Sequence, residues 1–482
     1  MLDDLIKERL KKLENFKKAG LDPYPPRVKR THEIGDVVEN FETLAKQNKN
    51  ISVAGRVIGL RNQGGVIFAD LKDESGQIQL VMKQDSLKEF EVFRDNLDIG
   101  DFLEADGTLF TTQKGEKSIE VKDQRLIGKN LRPLPSGYYG LEDTETRLRK
   151  RYLDLIAHPE LKKLFEQKTK FWEAFRDHLK KEGFLEVETP VLEAVPGGAD
   201  ALPFITHHNA LDHDFYLRIS LEIALKKLMV AGYEKVFEIG RIFRNEGIDA
   251  EHLQDYTQLE FYWAYHDYND MMVLTEKMYK EGIKKTLGTL TSVWQNKRID
   301  WSKKWPKVDY YEIFKKTVGL DFKKAARDDL HKKAASAGIK PEKNWGRGRL
   351  IDKLFSKFAR PTIIEPSFLV DPPVDIEPLA KRKPDAPDKV ERFQIMACGT
   401  EVGKGFSEAN DPIDQRERFR EQMELREAGD KEAQRLDEDF LEALEYGMPP
   451  MAGFGVSERL FAVLVDKPVR ETVFFPLMRP RK

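Results

Sequence analysis

Two strongly alternating segments separated by a polar loop constrain the fold of this chain more than any other feature. They read KVFEIGRIFRN, from Lys235, and TQLEFYWAY, up to Tyr265, and the polar EGIDAEHLQD lies between them. Alternation with a period of two is typical of strands with one buried face, so the pattern predicts a long antiparallel hairpin with a mobile loop. Residues two apart share a strand face, which groups Arg244 with Glu246.

The two faces of this predicted hairpin differ in chemistry. Glu260 and Tyr262 share one face of the second strand, whereas four aromatic residues are expected to bury the opposite face: Phe243, Phe261, Trp263 and Tyr265. A ladder of exposed charge pairs is the alternative, but such pairs contribute only a fraction of a kcal/mol each, and the aromatic residues favour a rigid charged face. Such a face suits phosphate, because a guanidinium matches phosphate oxygens bidentately.

Two glycine-rich segments lie nearer the C-terminus. GTEVGKG, at 399–405, lacks the spacing and the Ser or Thr of a P-loop, so a P-loop nucleotide site is excluded there. PPMAGFGVSERLFAVL places Arg459 after a glycine-rich turn and before a helical pattern. Gly453 and Gly455 would let the backbone approach a ligand closely. The sequence therefore offers a second arginine for an anion.

Charge and cysteine content narrow the class of protein. The 482 residues suffice for two or three domains, and 81 basic against 83 acidic residues give a net charge of -2, so overall charge predicts no polyanion partner. Cys398 is the only cysteine, which excludes an internal disulfide and fits a reducing compartment. No apolar run approaches the ~18 residues that span a bilayer, and the charged N-terminus resembles no signal peptide, so we expect a cytoplasmic protein without a membrane partner.

The pattern along the chain predicts an α+β protein with two domains. Residues 1–135 combine an amphipathic N-terminal helix with about five short alternating segments, typical of a β-barrel. NLRPLPSGYYG, which ends at Gly140, predicts a linker. Residues 136–482 mix helical and strand patterns, with a Lys-rich insertion of weak periodicity near 270–360 to which we assign no chemistry.

These segments together resemble the class II aminoacyl-tRNA synthetases, and specifically the lysine enzymes. GFLEVETPVLE, with Pro190, matches motif 1; FRNEGIDAEH and EFYWAY match motif 2; and GFGVSERL matches motif 3. The resemblance covers roughly residues 50–270 and 360–480, and the HIGH-like and KMSKS-like sequences of class I are absent. It implies an antiparallel catalytic sheet flanked by helices, an N-terminal OB-fold that reads the anticodon, and a homodimer formed through motif 1.

The resemblance implies that L-lysine is activated by ATP and transferred to tRNA(Lys). The lysine carboxylate attacks the α-phosphorus and expels pyrophosphate, and a ribose hydroxyl of the terminal adenosine then attacks the adenylate. Five residues match the family's ATP-binding positions: Arg244 at the α-phosphate, His252 and Arg459 at the γ-phosphate, Tyr256 stacked on the adenine where the family usually has Phe, and Glu246 orienting the adenine.

The same resemblance implies a recess for the lysine substrate. Its members are two carboxylates for the side-chain ammonium, two aromatic residues that line the methylene chain, and two residues at the α-amino group: Glu222 and Glu408, Tyr262 and Phe406, Glu260 and Gly198. A charged hydrogen bond contributes ~1.5–3 kcal/mol, and a neutral side chain would leave buried carboxylates unpaired.

The sequence departs from the family at positions that would bind the Mg²⁺ required by the triphosphate. Glu401 matches one metal ligand, but Gln394 stands where the family has a second Glu, and Lys404 replaces a usual Asn. An amide oxygen can coordinate Mg²⁺ but lends no negative charge, so we expect weakened metal binding or compensation by a nearby acid. HLQDY also replaces a usual HNPEF, and motif 3 is one residue shorter than usual.

In the barrel, the resemblance implies four residues that read the anticodon. Phe68 would stack on a base, Arg61 and Gln79 would read its edge, and Glu116 would be a fourth contact. Stacking tolerates any base, so the hydrogen bonds must supply the base preference.

Three alternatives remain open on the sequence. An aspartyl or asparaginyl enzyme shares the barrel and motifs, and Lys404 is the residue that favours it. A paralogue that lysylates a protein generally lacks the barrel. A non-catalytic nucleic-acid-binding protein would fit Gln394 but not the retained Arg244, His252, Glu401 and Arg459.

Overall fold

The computed structural model describes residues 2–135, 141–247, 252–342, 345–429 and 433–480. The chain divides into two compact units, Met1–Glu142 and Asp143–Lys482. The predicted boundary lies between residues 135 and 136. Residues 136–140, which form the end of the predicted linker, lie outside the described residues.

The first unit is built on a closed five-stranded barrel, as the alternating segments predict. The strand order is β1-β2-β3-β5-β4, and only β3 and β5 pair in parallel. Its helices are α1 Leu2–Lys18, α2 Ile34–Glu39, α3 Phe41–Gln47 and α4 Phe90–Asn96, with a short 3-10 helix Gln84–Ser86. Its strands are β1 Ile51–Gln63, β2 Val66–Lys72, β3 Gln77–Lys83, β4 Phe102–Thr111 and β5 Lys117–Gly128. Branched residues such as Val53, Leu80 and Val121 fill the interior.

The second unit contains the remaining helices and strands. Its helices are α5 Thr144–Arg149, α6 Arg151–Ala157, α7 Leu161–Lys181, α8 Glu222–Val230, α9 Tyr268–Leu287, α10 Tyr310–Val318, α11 Arg327–Ser336, α12 Arg347–Phe358, α13 Pro412–Glu427, α14 Glu438–Glu445 and α15 Arg459–Leu464, with 3-10 helices Arg360–Thr362, Val374–Ile376 and Val469–Thr472. Its strands are β6 Leu185–Glu186, β7 Leu192–Glu193, β8 Ile205–His208, β9 His213–Leu217, β10 Lys235–Phe243, β11 Asp255–Ala264, β12 Thr291–Trp294, β13 Lys297–Asp300, β14 Lys307–Asp309, β15 Ser367–Val370, β16 Arg382–Lys383, β17 Ala386–Val390, β18 Arg392–Ala397, β19 Thr400–Ser407 and β20 Met451–Ser457.

An eight-stranded sheet organises the second unit. Its order is β14-β15-β18-β19-β20-β11-β10-β6, and all neighbours are antiparallel except the two pairs at the edges. Helices α7 and α9 cover one face, where Phe175 and Tyr279 pack with Phe261 and Phe454 of the sheet. The α+β class and the antiparallel sheet flanked by helices are therefore confirmed.

The predicted hairpin is the pair β10 and β11, in register through Ile239 and Leu259. Leu259 and Phe261 are fully buried on the helix-covered face. The prediction for Tyr265 is wrong: its side chain is 66% exposed. β11 ends at Ala264, and Tyr265 takes a left-handed backbone with φ 63°, which turns its side chain away from the core. Phe243 is half-buried, and Trp263 lies partly buried against the ring of His266 at 3.4 Å between centroids.

The region near 270–360 has its own core in its described part. Helix α9 begins with a capping box between Asp267 and Asp270, and helices α10, α11 and α12 pack around Phe314 and Leu354. Within the described chain, no helix has an apolar stretch long enough to cross a bilayer.

Candidate active site

One cavity of about 470 Å³ lies on the sheet of the second unit. Such a volume is within the range of small-molecule sites. Its walls contain every residue that the sequence predicted for ATP, lysine and metal: Gly198, Glu222, Arg244, Glu246, His252, Tyr256, Glu260, Tyr262, Gln394, Glu401, Phe406, Glu408 and Arg459. These residues come from distant parts of the chain, and the sheet brings them together.

At one end of the cavity, two predicted carboxylates converge on a buried lysine. Glu222 opens α8, and Lys226 lies one turn later with its Nζ 2.5 Å from Glu222 Oε1. The same Nζ forms an ion pair with Glu408, which directly follows β19. All three residues are at least nine-tenths buried. Sequence reasoning missed Lys226, although its spacing of four residues from Glu222 on a helix was a usable signal.

Burial sets the charge state of this cluster of Glu222, Lys226 and Glu408. Burial raises the pKa of Glu222 to about 7, although the Lys226 charge acts in the opposite direction. Burial also raises the pKa of Glu408 well above its usual range. Burial alone would lower the pKa of Lys226, but the two carboxylates raise it above its ordinary value. Two carboxylates therefore share one ammonium, which leaves an excess negative charge when both are ionised.

Glu408 has capacity for another donor. Its Oε2 is paired with Lys226 Nζ, whereas its Oε1 accepts no hydrogen bond within the described residues. Gly453 makes room for this carboxylate, because a Cβ there would lie 2.3 Å from Glu408 Oε1 and 2.4 Å from the Tyr262 ring. Gly453 pairs across the sheet with Tyr262 on one side and Phe406 on the other. The bare backbone at Gly453 thus leaves space beside the Tyr262 ring for the carboxylate oxygen.

Glu260 is held by its neighbours on the floor of the cavity. Its Oε1 accepts hydrogen bonds from Ser220 Oγ at 2.8 Å and Gln258 Nε2 at 2.6 Å, and its Oε2 accepts from Tyr262 OH at 3.1 Å. Gly198 approaches the same wall with φ 83°, and a Cβ there would lie 2.9 Å from the Ser220 Cβ. Sequence reasoning missed Ser220 and Gln258, which position this carboxylate.

Arg244 and Arg459 border the ring of Tyr256. The Arg244 amide donates to Gln254 O at 2.7 Å, which continues the hairpin ladder, and its Nε donates to Ile219 O at 3.2 Å. The guanidinium carbon lies 5.7 Å from the Tyr256 ring centroid. Burial raises the pKa of Tyr256, and the charges of Arg244 and Arg459 act in the opposite direction. Two cations and one ring therefore share this end of the cavity.

Glu246 and His252 lie beside the hairpin loop. β10 ends at Phe243, so Glu246 stands beyond the strand, with its amide donating to Arg244 O at 2.9 Å. His252 is half-buried just before β11. Residues 248–251 of the predicted loop lie outside the described residues.

Glu458 anchors the start of α15 and thereby the position of Arg459. Its carboxylate forms an ion pair with Lys168 of α7 and accepts from the Thr257 amide at 3.4 Å. Glu458 is 1% exposed. Helix α7 and motif 3 are thus connected through an ion pair that sequence reasoning missed.

The residues at the predicted metal position do not fit a site with two carboxylates. Gln394 donates its amide to Glu401, and across the strands Gln394 pairs with Lys404. The Lys404 Nζ lies 3.0 Å from Glu377 Oε2, and Arg392 Nε lies 3.4 Å from the same oxygen. No group of three or more His, Cys, Asp and Glu that could hold a metal occurs in the part of the chain that the structure describes.

Three residues of this wall were missed by sequence reasoning. Glu377 and Arg392 belong to the network just described, and burial opposes ionisation of Glu377 while Lys404 and Arg392 lower its pKa below the ordinary value. Arg349 of α12 also lines the cavity, although the sequence assigned no chemistry to that region. None of the three stands in a pattern that sequence periodicity can detect.

Three of the predicted anticodon residues, Arg61, Phe68 and Gln79, lie on the same side of neighbouring barrel strands, and Gln79 is buried there. Arg61 pairs with Phe68 across β1 and β2, and Gln79 of β3 pairs with Asp70. Gln79 Oε1 accepts from Ser118 Oγ at 3.0 Å, and the same hydroxyl lies 3.2 Å from the carbonyl of Glu116. Phe68 is half-buried, and Arg61 and Glu116 are exposed.

Comparison with known proteins decides the family. Residues 143–479 match the family described as tRNA synthetases class II (D, K and N). The chain belongs to the class II tRNA synthetases. The barrel of this synthetase matches the OB-fold nucleic acid binding domain over residues 51–127, so the predicted OB-fold is confirmed.

Curated relatives of this synthetase share its full length. It is 45% identical to the lysine-tRNA ligase of Roseiflexus castenholzii, over 100% of both chains. It is also 45% identical to the lysine-tRNA ligase of Moorella thermoacetica and 43% identical to that of Carboxydothermus hydrogenoformans, over 100% of this chain and 99% of each relative. The predicted resemblance to the lysine enzymes of class II is confirmed.

Proposed function

We propose that this synthetase is a lysine-tRNA ligase, which activates L-lysine with ATP and transfers it to tRNA(Lys). The observation that carries the proposal is the convergence of Glu222 and Glu408 at one end of a cavity whose other end holds Arg244 and Arg459. A substrate with an ammonium at one end and an adenylate at the other matches this division of charge. The names of the full-length relatives support the same reaction.

The first half-reaction joins two anions, and the arginines offset their repulsion. The lysine carboxylate attacks the α-phosphorus of ATP, a carboxylate-phosphorus bond forms, and pyrophosphate leaves. Arg244 is suited to hold both the carboxylate and the α-phosphate, because its fork presents several donors to oxygen pairs. Tyr256 offers a ring to the adenine, Glu246 orients the base, and Arg459 with His252 holds the outer phosphates.

Lysine is selected at the far end of the cavity. Its ammonium would bind Glu408 Oε1 and the carboxylate of Glu222, beside the cation Lys226. Tyr262 and Phe406 would line the methylene chain, and Glu260 with the backbone near Gly198 would receive the α-amino group. A neutral or acidic side chain would leave the excess carboxylate unpaired, which is costly in a buried site.

Mg²⁺ would enter with the phosphates of ATP, whose charge it offsets. Glu401 is the carboxylate suited to contact it. Gln394 contributes no charge, and its amide donates to Glu401. The chain therefore supplies fewer anionic ligands than the resemblance implied.

The barrel would read the anticodon of tRNA(Lys). Phe68 lies beside Arg61 on the barrel surface, so a stacked base would have a charged donor at its edge. Gln79 and Glu116 would supply further polar contacts, and Ser118 Oγ connects the two through Gln79 Oε1 and the Glu116 carbonyl.

We also propose a homodimer formed through motif 1, and a cytoplasmic location. Apolar side chains around motif 1 stand exposed in the single chain: Leu185, Val191, Leu192 and Val195. A second copy would remove them from water. The single cysteine, Cys398, suits a reducing compartment that also holds tRNA and ATP.

The decisive experiment is a pyrophosphate-exchange assay with each amino acid, followed by aminoacylation of a tRNA(Lys) transcript. We expect exchange with lysine and charging of that transcript. Exchange with aspartate or asparagine but not lysine would replace the proposal with an aspartyl or asparaginyl enzyme. Unchanged aminoacylation in an Arg244→Ala variant would contradict the assigned site.

A further inference from the structure

Four charged side chains stand close together on the wall of the cavity around Lys404. Glu377 and Glu401 supply two carboxylates, and Lys404 and Arg392 supply two cations. The neutral amide of Gln394, on the neighbouring strand, donates to Glu401, and Gln394 stands opposite Lys404. A divalent cation binds where carboxylates are left uncompensated, and Glu377 is already paired with two cations.

Lys404 also presents donors to the cavity. Its side chain is 35% exposed, whereas Glu377 beneath it is 7% exposed. An ammonium carries three donors, and the single contact with Glu377 uses one of them. Across the sheet Lys404 faces Gly455, which carries no side chain that could cover the ammonium. Arg392 shares the charge of Glu377, so Lys404 keeps positive charge for a ligand.

A shift in strand register places Glu401 on this wall as well. Gln394 pairs with Lys404, but Met396 pairs with Glu401, which leaves Val402 as an extra residue between them. The bulge turns Glu401 and Lys404 to the same side, and both line the cavity with Arg244 and Arg459. The ammonium therefore stands among the groups that would hold a triphosphate.

We propose that the Lys404 ammonium binds a phosphate group of the nucleoside triphosphate and takes the place of one divalent cation. The proposal rests on the proposed function, because it assumes that ATP lies in this cavity. The enzyme then needs a single divalent ion, carried with the phosphates, and Glu377 holds the lysine in position through its contact at 3.0 Å.

Binding measurements with the full chain test this proposal without turnover. The probes are the ATP analogue with a methylene bridge between the α- and β-phosphates, and Mn²⁺ counted by electron paramagnetic resonance. We expect one bound Mn²⁺ per chain in the native protein and two in the Gln394→Glu, Lys404→Asn double variant. Equal counts in the two proteins would overturn the proposal.

Lys404→Asn alone should weaken binding of the analogue about tenfold or more, because it removes a charge-assisted contact to phosphate. The matched control is Lys389→Asn, since Lys389 forms an ion pair of equal length, 3.0 Å to Asp309, outside the cavity. The control should bind the analogue within about twofold of the native protein. An equal loss of analogue affinity in both variants would show that Lys404 has only a structural role.

The native protein alone supplies a measurement that does not depend on folding of a variant. The affinity for the analogue, measured over a range of free Mg²⁺, should report linkage to one ion, and linkage to two or more would overturn the proposal. Failure of the native protein to bind the analogue at any Mg²⁺ concentration would overturn the proposed function as well. The two failures are therefore distinguishable.

Discussion

Two lysines near the cavity differ in the charges around them: Lys404 lines the cavity, and Lys226 is buried behind its wall. Lys226 is completely buried and stands alone between two carboxylates, Glu222 and Glu408. Lys404 is partly exposed, and the carboxylate it contacts, Glu377, is shared with Arg392. The first cluster lacks a positive charge and the second does not. The same cavity therefore favours binding of a cation near Lys226 and binding of an anion near Lys404.

The difference also separates stability from binding. At Lys226, two carboxylates share one ammonium, so the empty site carries an excess negative charge that the substrate ammonium would neutralise. At Lys404, the protein already supplies two cations for Glu377, and the exposed side of the ammonium remains for an anion. The following changes break or sharpen this comparison, from the largest expected effect to the smallest.

Lys226→Met should destabilise the fold most. It leaves Glu222 and Glu408 buried and unpaired, and breaking a buried ion pair costs about 3–5 kcal/mol. Urea unfolding at pH 8 measures the loss. Lys227→Met is the control, because Lys227 pairs with Asp439 at the surface, and it should change stability by less than about 1 kcal/mol. Equal stability of the two variants would contradict the comparison.

Glu408→Gln should weaken lysine binding about 30-fold, since it removes a charged acceptor worth about 2 kcal/mol. Binding of the ATP analogue should not change, because Glu408 belongs to the opposite end of the cavity. Calorimetry with each ligand separates the two. The control is Glu445→Gln, whose side chain is exposed and pairs with Arg416 at the surface. A loss of analogue affinity as large as the loss of lysine affinity would refute the division of the cavity.

Lysine affinity should rise about tenfold from pH 6 to pH 8. The pKa of Glu222 is about 7 in the empty site, so the carboxylate is mostly protonated at pH 6 and ionised at pH 8, and only the ionised form attracts the ammonium. Lysine binding below pH 7 should therefore release a proton, which calorimetry in two buffers detects. Glu222→Gln should flatten the pH profile. A native profile already flat between pH 6 and pH 8 would show that this group does not titrate.

Tyr262→Phe should have the smallest effect. It removes the hydroxyl that donates to Glu260 at 3.1 Å, a hydrogen bond worth about 1 kcal/mol, and it keeps the ring beside Gly453. We expect lysine KM to rise about fivefold with little change in ATP KM. Tyr265→Phe, at an exposed ring outside the cavity, is the matched control. A larger loss than that of Glu408→Gln would assign Tyr262 a more direct contact.

Much of this arrangement could be predicted from the sequence. The remainder could not, and each omission has a physical reason. Period-two alternation predicted the barrel and the hairpin, and motif matching predicted Glu222 and Glu408. Lys226 was missed because a helical Glu-Lys spacing is commonly a surface pair. Glu377 was missed because it follows a short 3-10 helix without periodicity. Tyr265 was misplaced because alternation does not show where a strand ends.

The bare backbone at Gly453 gives the lysine recess a narrow steric tolerance. A methyl group there would come within 2.3 Å of Glu408 Oε1, closer than nonbonded atoms approach. The methyl group of an alanine at this position would therefore block the lysine end of the cavity and leave the adenine end open. A single-atom change on the floor could thus uncouple recognition of the amino acid from recognition of the nucleotide.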